Sequence, residues 1–210
     1  MSAILAIVTA LVLIIIGTRR ETKSARERTP ALVNRYLHPA HTWLRVTEDG
    51  DVLVGVDGFT QSVIGTVDAV TLPRLLRKVH QGKVVVTLHH GSRSVDLVSP
   101  VTGRVIEKNE SVVHHPSLVN ASPYAEGWLF RVRPGTLQSQ LQNLLSGRRM
   151  QQWQDLARTQ LAQMFSASPA LMYQDGGVPV ENLAERCSDE EWHAVTQQFF
   201  LSDQNVDTHQ

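Results

Sequence analysis

Histidine and cysteine are the residues of this sequence with the clearest potential for metal chemistry. The sequence holds nine histidines, including the doublets His89-His90 and His114-His115, and a single cysteine, Cys187. A zinc or copper centre needs three or four ligands that converge at suitable spacing. Cys187 lies in a different region from both doublets, and the sequence contains no Cys-x-x-Cys pair. We therefore interpret the doublets as surface histidines, and we predict no metal site and no cofactor.

Signatures of catalysis are also missing from the sequence. It contains neither a Gly-Lys-Ser/Thr phosphate loop nor a Gly-x-Ser-x-Gly elbow, and no acid–base pair stands out, so we predict that the chain is not an enzyme. Lys and Arg together number 20, as do Asp and Glu, and this neutral total gives no case for nucleic acid as a partner. The lone Cys187 cannot form an internal disulfide, which fits a reducing compartment.

Short strands separated by turn residues must position whatever this chain displays. The stretch LHHGSRSVDLVSPVTG, residues 88–103, predicts two strands joined by a small polar tip at Gly91–Ser94. TWLRVTEDGDVLVGV, residues 42–56, alternates apolar and polar residues around a second turn signal. Several similar segments follow up to Pro134, and this spacing predicts a small β-sandwich or barrel.

An uncharged apolar run precedes the first basic residues. Residues 2–18 carry no charge, and as a helix of about 17 residues they would span roughly 25 Å, at the short end of a bilayer crossing. A cleaved signal peptide is the alternative, but it has a basic residue before the run and a small-x-small site after it. Here Arg19 and Arg20 follow directly, so we predict a retained single-pass anchor in the cytoplasmic (inner) membrane. The positive-inside rule then places the bulk of the chain in the cytoplasm.

After Pro134 the apolar spacing becomes helical. Thr136 is positioned to cap a helix that continues through Leu145, and Gly147 is expected to break or end it. A second helical segment follows, with an apolar face that includes Leu156.

A capping box, Ser188 with Glu191 three residues later, predicts a last helix. Such a short helix needs its apolar face buried, either on the barrel of the same chain or on another protein. We favour the second alternative, a partner-binding face made by Trp192, Val195, Phe199 and Phe200.

Five motifs occur in order and at unbroken spacing, and together they identify a family resemblance. They are HTW (41–43), VGVDGFTQSVIG (54–65), TLP (71–73), SPVTGRVIEKNESV (99–112) and HPSLVNASPYAEGWLFRVRP (115–134). From about residue 36 to 153 the chain resembles the glycine cleavage system H-protein, a member of the lipoyl-domain class.

The resemblance implies a mainly β fold: a flattened lipoyl-type β-barrel of two small sheets. To this the sequence adds C-terminal helices and the N-terminal transmembrane helix. We expect an anchor at 1–18, a basic linker at 19–35, the H-protein-like domain at 36–153 and a helical extension at 154–210. Gly65, Gly103 and Gly127 are expected at tight bends or close backbone approaches, and we expect core packing of Trp43, Tyr124 and Trp128.

The attachment point of the family is the main departure. H-proteins carry a lipoyl arm on one lysine of an exposed hairpin, and counting back from Asp96, Ser99 and Pro100 places that lysine on Ser92. Lipoylation forms an amide and needs a primary amine, which neither the Ser92 hydroxyl nor the Arg93 guanidinium supplies. The family's acidic segment after Leu-Pro is also replaced here by the basic RLLRKVHQGK, residues 74–83.

Three functions remain open. The one we favour is a non-catalytic, membrane-anchored accessory or docking subunit that is not lipoylated, with other protein subunits as partners, and a membrane electron-transfer complex is a suitable host. The second is a lipoyl or aminomethyl carrier of a glycine-cleavage-like system that uses a different lysine, such as Lys83. The third is a module that binds an effector on the basic side of the hairpin.

Overall fold

The computed structural model describes residues 34–165 and 182–200. Apart from Asn34, these residues belong to one compact unit that begins at Arg35. The predicted anchor at 1–18 and nearly all of the predicted linker at 19–35 lie outside the described residues. Within the described ranges, no helix combines the length and the apolar character that a membrane crossing requires.

Nine strands are present in the described part of the chain and form two antiparallel sheets. The six-stranded sheet has the order β1-β2-β3-β9-β8-β5, and the three-stranded sheet has the order β4-β6-β7. The strands are β1 (Arg35–Leu37), β2 (Thr42–Val46), β3 (Val52–Val56), β4 (Ala69–Thr71), β5 (Lys78–Val79), β6 (Val84–His90), β7 (Arg93–Val98), β8 (Gly103–Lys108) and β9 (Phe130–Pro134). The expected mainly β architecture of two small sheets is therefore present.

Alternating side chains of the strands fill a common core. Leu44, Val54, Leu88, Val105 and Phe130 are each at most 1 % exposed, and they come from five strands of both sheets. A second, smaller cluster joins Leu37, Trp43 and Met150, and half-buried Tyr124 and Trp128 pack against it. Trp43 thus lies in the core, and Tyr124 and Trp128 pack at its edge, in line with the expected packing of the three aromatic residues.

Two of the glycines show why a side chain is excluded. Gly103 lies so close to the backbone of Arg133 on the neighbouring strand that a Cβ would collide with its carbonyl oxygen. Gly65 has a φ of 74°, in the left-handed region that favours glycine, and it ends the first helix. The expectation of tight bends and close approaches holds at both positions.

Three short helices connect the strands, and four more follow β9 in the described residues. They are α1 (Gly58–Ile64), α2 (Glu110–His114), α3 (Leu118–Ala121), α4 (Leu137–Leu141), α5 (Gly147–Met164), α6 (Leu183–Arg186) and α7 (Asp189–Phe200).

The predicted helix boundaries after β9 need two corrections. Thr136 does precede α4, but α4 ends at Leu141, before Leu145. Gly147 therefore does not end this helix and is instead the first residue of α5. Gly147 has a φ of 52°, so its backbone freedom serves the turn that starts α5. Leu156, which we expected on the apolar face of this segment, is 45 % exposed, whereas Ala157 and Leu161 face the core.

The capping box at the start of α7 is confirmed. The Ser188 amide donates to Glu191 Oε2 at 2.8 Å, and the Glu191 amide donates to Ser188 Oγ at 3.2 Å. These reciprocal bonds satisfy two amides that a helix start leaves without intrahelical partners. The sequence thus determines where α7 begins.

Candidate functional site

The β6–β7 hairpin ends in a two-residue tip that consists of Gly91 and Ser92. His90 and Arg93 are the last paired residues, and Gly91 has a φ of 55°, which a glycine tolerates in so tight a turn. Gly91, Ser92 and Ser94 are all exposed. Ser92, which the motif spacing is expected to place at the family's lipoyl-lysine position, therefore stands at the end of an exposed hairpin.

The His90 side of the hairpin is tied to the segment before β4 and to α6. The Gly91 amide donates to Asp68 Oδ2 at 2.7 Å, and His90 Nδ1 donates to the Thr66 carbonyl at 2.5 Å. The other ring nitrogen, Nε2, lies 3.1 Å from Glu185 Oε1. Both imidazole nitrogens thus face oxygen acceptors, which fixes the ring in one orientation.

Arg93, on the opposite side of the tip, binds the segment between α6 and α7. Its Nη2 donates to the Cys187 carbonyl at 2.5 Å, and its Nη1 donates to the Ser188 carbonyl at 3.2 Å. Nη2 also lies 3.2 Å from Asp189 Oδ1. The guanidinium carbon lies 5.3 Å from the centre of the Trp192 ring. We call these contacts, together with the His90–Glu185 pair, the hairpin clamp.

Cys187 contributes its backbone to the clamp, and its thiol is buried. Burial raises the pKa of the Cys187 thiol, and the nearby Arg93 guanidinium only partly opposes this shift. The thiol donates to the Leu183 carbonyl at 2.9 Å. A protonated, buried thiol is a poor nucleophile, so the geometry gives Cys187 a packing role.

An open cleft of about 560 Å³ lies beside the tip. Its walls combine the hairpin with α7, and its lining residues are Ser92, Arg93, Ser94, Asp96, Asp189, Trp192, His193 and Thr196. Charges of both signs line it, and the Arg93 guanidinium already has three oxygen partners. Arg93, the permanently charged cation that lines the cleft, is therefore already engaged by oxygen atoms of its own chain.

A buried polar pair lies below α7. His41 Nδ1 and Asp57 Oδ2 are 2.9 Å apart, and both side chains are almost fully buried. Burial raises the pKa of Asp57, but the charge of His41 and hydrogen bonds from His41, Gln154 and the Thr60 amide outweigh it, so that the pKa is lowered overall. The His41 ring stacks on Phe59, with the ring centres 4.1 Å apart. This pair has the geometry of a core polar contact.

The two histidine doublets have separate surroundings. His89 Nε2 lies 3.0 Å from the Thr71 hydroxyl, whereas His114 and His115 are exposed at the end of α2. Across residues 34–165 and 182–200, no three His, Cys, Asp or Glu side chains are grouped so that they could hold a metal ion.

The predicted partner-binding face of the last helix packs inside its own chain. Val195 and Phe200 are fully buried, Phe199 is 5 % exposed, and half-buried Trp192 packs against the same core. Phe199 lies 5.0 Å from the Phe59 ring. Our preference for a partner-binding face was wrong for Val195, Phe199 and Phe200, because the same chain covers them, whereas half-buried Trp192 also lines the open cleft.

Comparison with known proteins assigns the family. The family model described as "Glycine cleavage H-protein" matches residues 34–155, which is more than half of the chain. The chain belongs to the glycine cleavage H-protein family.

Relatives and solved structures agree with this assignment. The glycine cleavage system H protein of Saccharophagus degradans is 38 % identical over 112 residues, which cover 53 % of this chain and 85 % of that protein. The H protein of Teredinibacter turnerae is 40 % identical over 95 residues, covering 45 % of this chain and 73 % of that protein. The crystal structure of a glycine cleavage system H protein from Mycobacterium marinum aligns with a TM-score of 0.52 at 25 % identity and covers 59 % of this chain and 95 % of that one.

The hairpin clamp joins the H-protein domain to residues beyond it. The family match ends at residue 155, whereas Glu185, Cys187, Ser188 and Trp192 lie after it. We did not predict Arg93 or His90 as functional contacts, because their partners are more than 90 residues away in the sequence. The capping box was a usable signal for the start of α7, but no local pattern indicates what α7 packs against.

Proposed function

We propose that this H-protein relative is a non-catalytic, membrane-anchored docking subunit that is not lipoylated. The observation that carries the proposal is the hairpin tip. Ser92 occupies the position of the lipoyl lysine, and a segment outside the family match holds the hairpin through Arg93. A hairpin that presents no amine and is tied to its own C-terminal helices is suited to a fixed surface rather than to a swinging arm.

The chemistry of the tip supports the absence of a lipoyl group. An amide-linked arm needs a primary amine, and the exposed residues at the tip are Gly91, Ser92 and Ser94. Arg93 is the nearest cation, but its guanidinium stays protonated and is held by carbonyl oxygens.

The carrier alternative must use a lysine elsewhere. Lys83 lies directly before β6, so the length of that strand, at roughly 3.3 Å per residue, separates it from the tip by about 25 Å. Lys78 projects from the two-residue strand β5, and Lys108 Nζ lies 3.0 Å from Glu110 Oε1. None of these three lysines stands at the end of a hairpin like the one that presents Ser92.

The membrane part of the proposal rests on the sequence. Residues 2–18 are uncharged, and a basic segment follows them at once, which is the pattern of a retained anchor with its basic flank in the cytoplasm. The full chain is then expected to sediment with membranes and to resist salt extraction. A reporter fused after Gln210 should score as cytoplasmic. A membrane electron-transfer complex is the host we propose on the basis of this location alone.

The decisive experiment is the intact mass of the full chain, purified from cells that contain an active lipoate ligase. A lysine-bearing H protein expressed in the same cells verifies the ligase. The Ser92→Lys variant tests whether the hairpin accepts a lipoyl group once an amine is supplied, and Ser94→Lys is the matched control at an exposed position two residues from the tip.

The expected result is no lipoyl or octanoyl mass on the natural chain and a gain of mass on Ser92→Lys only. A lipoylated peptide that contains Lys23, Lys78, Lys83 or Lys108 would instead establish the carrier alternative. Gentle solubilisation of the membrane, followed by identification of the subunits that co-purify, then tests the docking role.

A further inference from the structure

The loop between β4 and β5 displays an apolar surface that its own chain does not cover. Leu75 is 52 % exposed and Leu76 is 60 % exposed, more than any other large hydrophobic residue in the described ranges. The two leucines and the flanking Arg74 and Arg77 line an open concavity of about 470 Å³. We call residues 74–77 the dileucine loop.

The dileucine loop is held in place by the neighbouring strand. The Leu76 amide donates to the Val105 carbonyl at 2.8 Å, and the Val105 amide donates to the Arg77 carbonyl at 2.9 Å. Leu76 has a φ of 65°, a conformation that is unfavourable for a bulky residue. Strain of this kind persists only where the surroundings enforce it, and here the enforced conformation directs two leucines into solvent.

Cations surround the two leucines. Arg74, Arg77 and Lys78 are exposed within the loop and directly after it. Arg104 is exposed as well, on the strand that pairs with Lys78, and its Nη1 lies 3.4 Å from the Leu76 carbonyl. Residues 69–95 contain no Asp or Glu, so no carboxylate of this segment offsets the positive charge.

We propose that the dileucine loop docks on the surface of an anionic lipid bilayer. Leucine side chains that enter the interface, with arginine and lysine side chains directed at lipid phosphates, form the arrangement that interfacial binding requires. Each cation near an anionic bilayer contributes roughly a fivefold increase in association, so the surface is suited to anionic lipid rather than to neutral lipid.

The position of the loop in the chain makes this contact possible. The uncharged run ends at Thr18, and the described fold begins at residue 34, which leaves a connection of about 16 residues that can extend to at most roughly 50 Å. A domain tethered at this distance can bring any side to the bilayer, and the dileucine loop determines which side it is. The docking proposal depends on the proposed function in one respect only, which is that the proposed anchor supplies this tether.

The test places a nitroxide label on the full chain in lipid nanodiscs. Leu75→Cys carries the label, and Val113→Cys is the matched control, because Val113 is an exposed apolar residue within α2, whose first turn carries Glu110, rather than next to a cation cluster. Discs of phosphatidylcholine alone are compared with discs that also contain phosphatidylglycerol. The measured quantity is the accessibility of the label to lipid-dissolved oxygen relative to a water-soluble nickel chelate.

The expected result is a several-fold rise in this ratio for the Leu75 label in anionic discs only, with no change for the Val113 label. In the Arg74→Gln/Arg77→Gln background the ratio of docked to undocked chains should fall roughly 30-fold. A Leu75 label that stays equally exposed to water in both kinds of disc overturns the proposal. The proposal is also overturned if the Leu75 label becomes less accessible to water only when other proteins of the native membrane are present. That result would identify an acidic protein surface as the partner.

Failure of the anchor is visible separately. A chain that does not enter the discs contradicts the proposed anchor, and the label then reports the loop on vesicles of the same two compositions. Protection of the Leu75 label by anionic vesicles supports the docking surface even in that case, and lack of protection there overturns it.

Discussion

The guanidinium of Arg93 lies 5.3 Å from the centre of the Trp192 ring, so that the hairpin tip and the last helix share one contact. Arg93 follows the tip directly, and Trp192 lies beyond the region that the H-protein family model matches. The clamp thereby makes the extension part of the same structural unit as the hairpin.

Replacing Arg93 by Ala should release the clamp. The substitution removes charge-assisted hydrogen bonds to the Cys187 and Ser188 carbonyls, each of which contributes about 1.5–3 kcal/mol in favourable cases, and a cation–π contact of about 0.5–1 kcal/mol. Because Arg93 is only half-buried and contacts made by one side chain are not additive, we expect the unfolding free energy to fall by about 2 kcal/mol, less than the sum of these values. Amide hydrogen exchange in residues 189–200 should accelerate, and this is the measurement that locates the effect.

Arg158→Ala is the matched control for this substitution. Arg158 pairs with exposed Asp155 at 3.4 Å on α5, and a solvated pair of this kind contributes close to nothing. Exchange in residues 189–200 that is equally slow in the Arg93→Ala and Arg158→Ala variants would show that Arg93 does not hold the last helix.

Replacing Phe200 by Ala tests whether the last helix belongs to the core. Phe200 is fully buried, and its ring centre lies 5.9 Å from that of His41 and 6.2 Å from that of Phe59. Truncation of a buried phenylalanine costs about 3–5 kcal/mol, so a clear drop in melting temperature is expected. Leu156→Ala, at an exposed position of α5, should change the unfolding free energy by less than about 0.5 kcal/mol. A Phe200→Ala variant that melts normally but loses its membrane partners would restore the partner-binding interpretation.

Local sequence signals predicted the elements better than their packing. Alternating apolar residues indicated the strands, the small polar turn residues placed Ser92 at the hairpin tip, and the capping box located the start of α7. Each of these signals acts within a few residues of the chain.

The contacts that decide the site join distant residues, and this is why they were missed. Whether Phe199 and Phe200 face a partner or the barrel depends on the space beside Phe59, which no local pattern encodes. The exposed Leu156 and the helix start at Gly147 have the same explanation, since tertiary packing selects which helical face and which turn are used. The strained backbone conformation of the loop residue Leu76 likewise depends on a hydrogen bond to Val105, which lies on strand β8.

The last prediction concerns the pH dependence of stability at His38. Burial, followed by the nearby charge of His41, lowers the pKa of His38 to about 4 from an ordinary value of about 6.5. The neutral ring is also the form that the local structure uses, because His38 Nδ1 accepts a hydrogen bond from the Ala40 amide at 3.1 Å. Folding therefore favours the uncharged imidazole.

The sign of the effect follows from proton binding. Between about pH 6.5 and pH 4 the unfolded chain carries a proton on His38 and the folded chain does not, so acidification through this window favours unfolding. The full contribution is present above about pH 6.5 and amounts to at most about 3 kcal/mol. Below about pH 4 both states are protonated, and the loss is complete.

The measurement compares the unfolding free energies of the natural chain and of His38→Asn from about pH 7.5 to pH 4. Asparagine offers an oxygen to the Ala40 amide but does not titrate, so the stability difference between the two chains should be constant above about pH 7 and should shift steadily against the natural chain as the pH falls. His115→Asn, at an exposed position, controls for the loss of a histidine as such. Parallel profiles for the natural chain and His38→Asn would show that His38 binds protons equally in both states, and that its half-buried neutral form contributes nothing to the acid sensitivity of the fold.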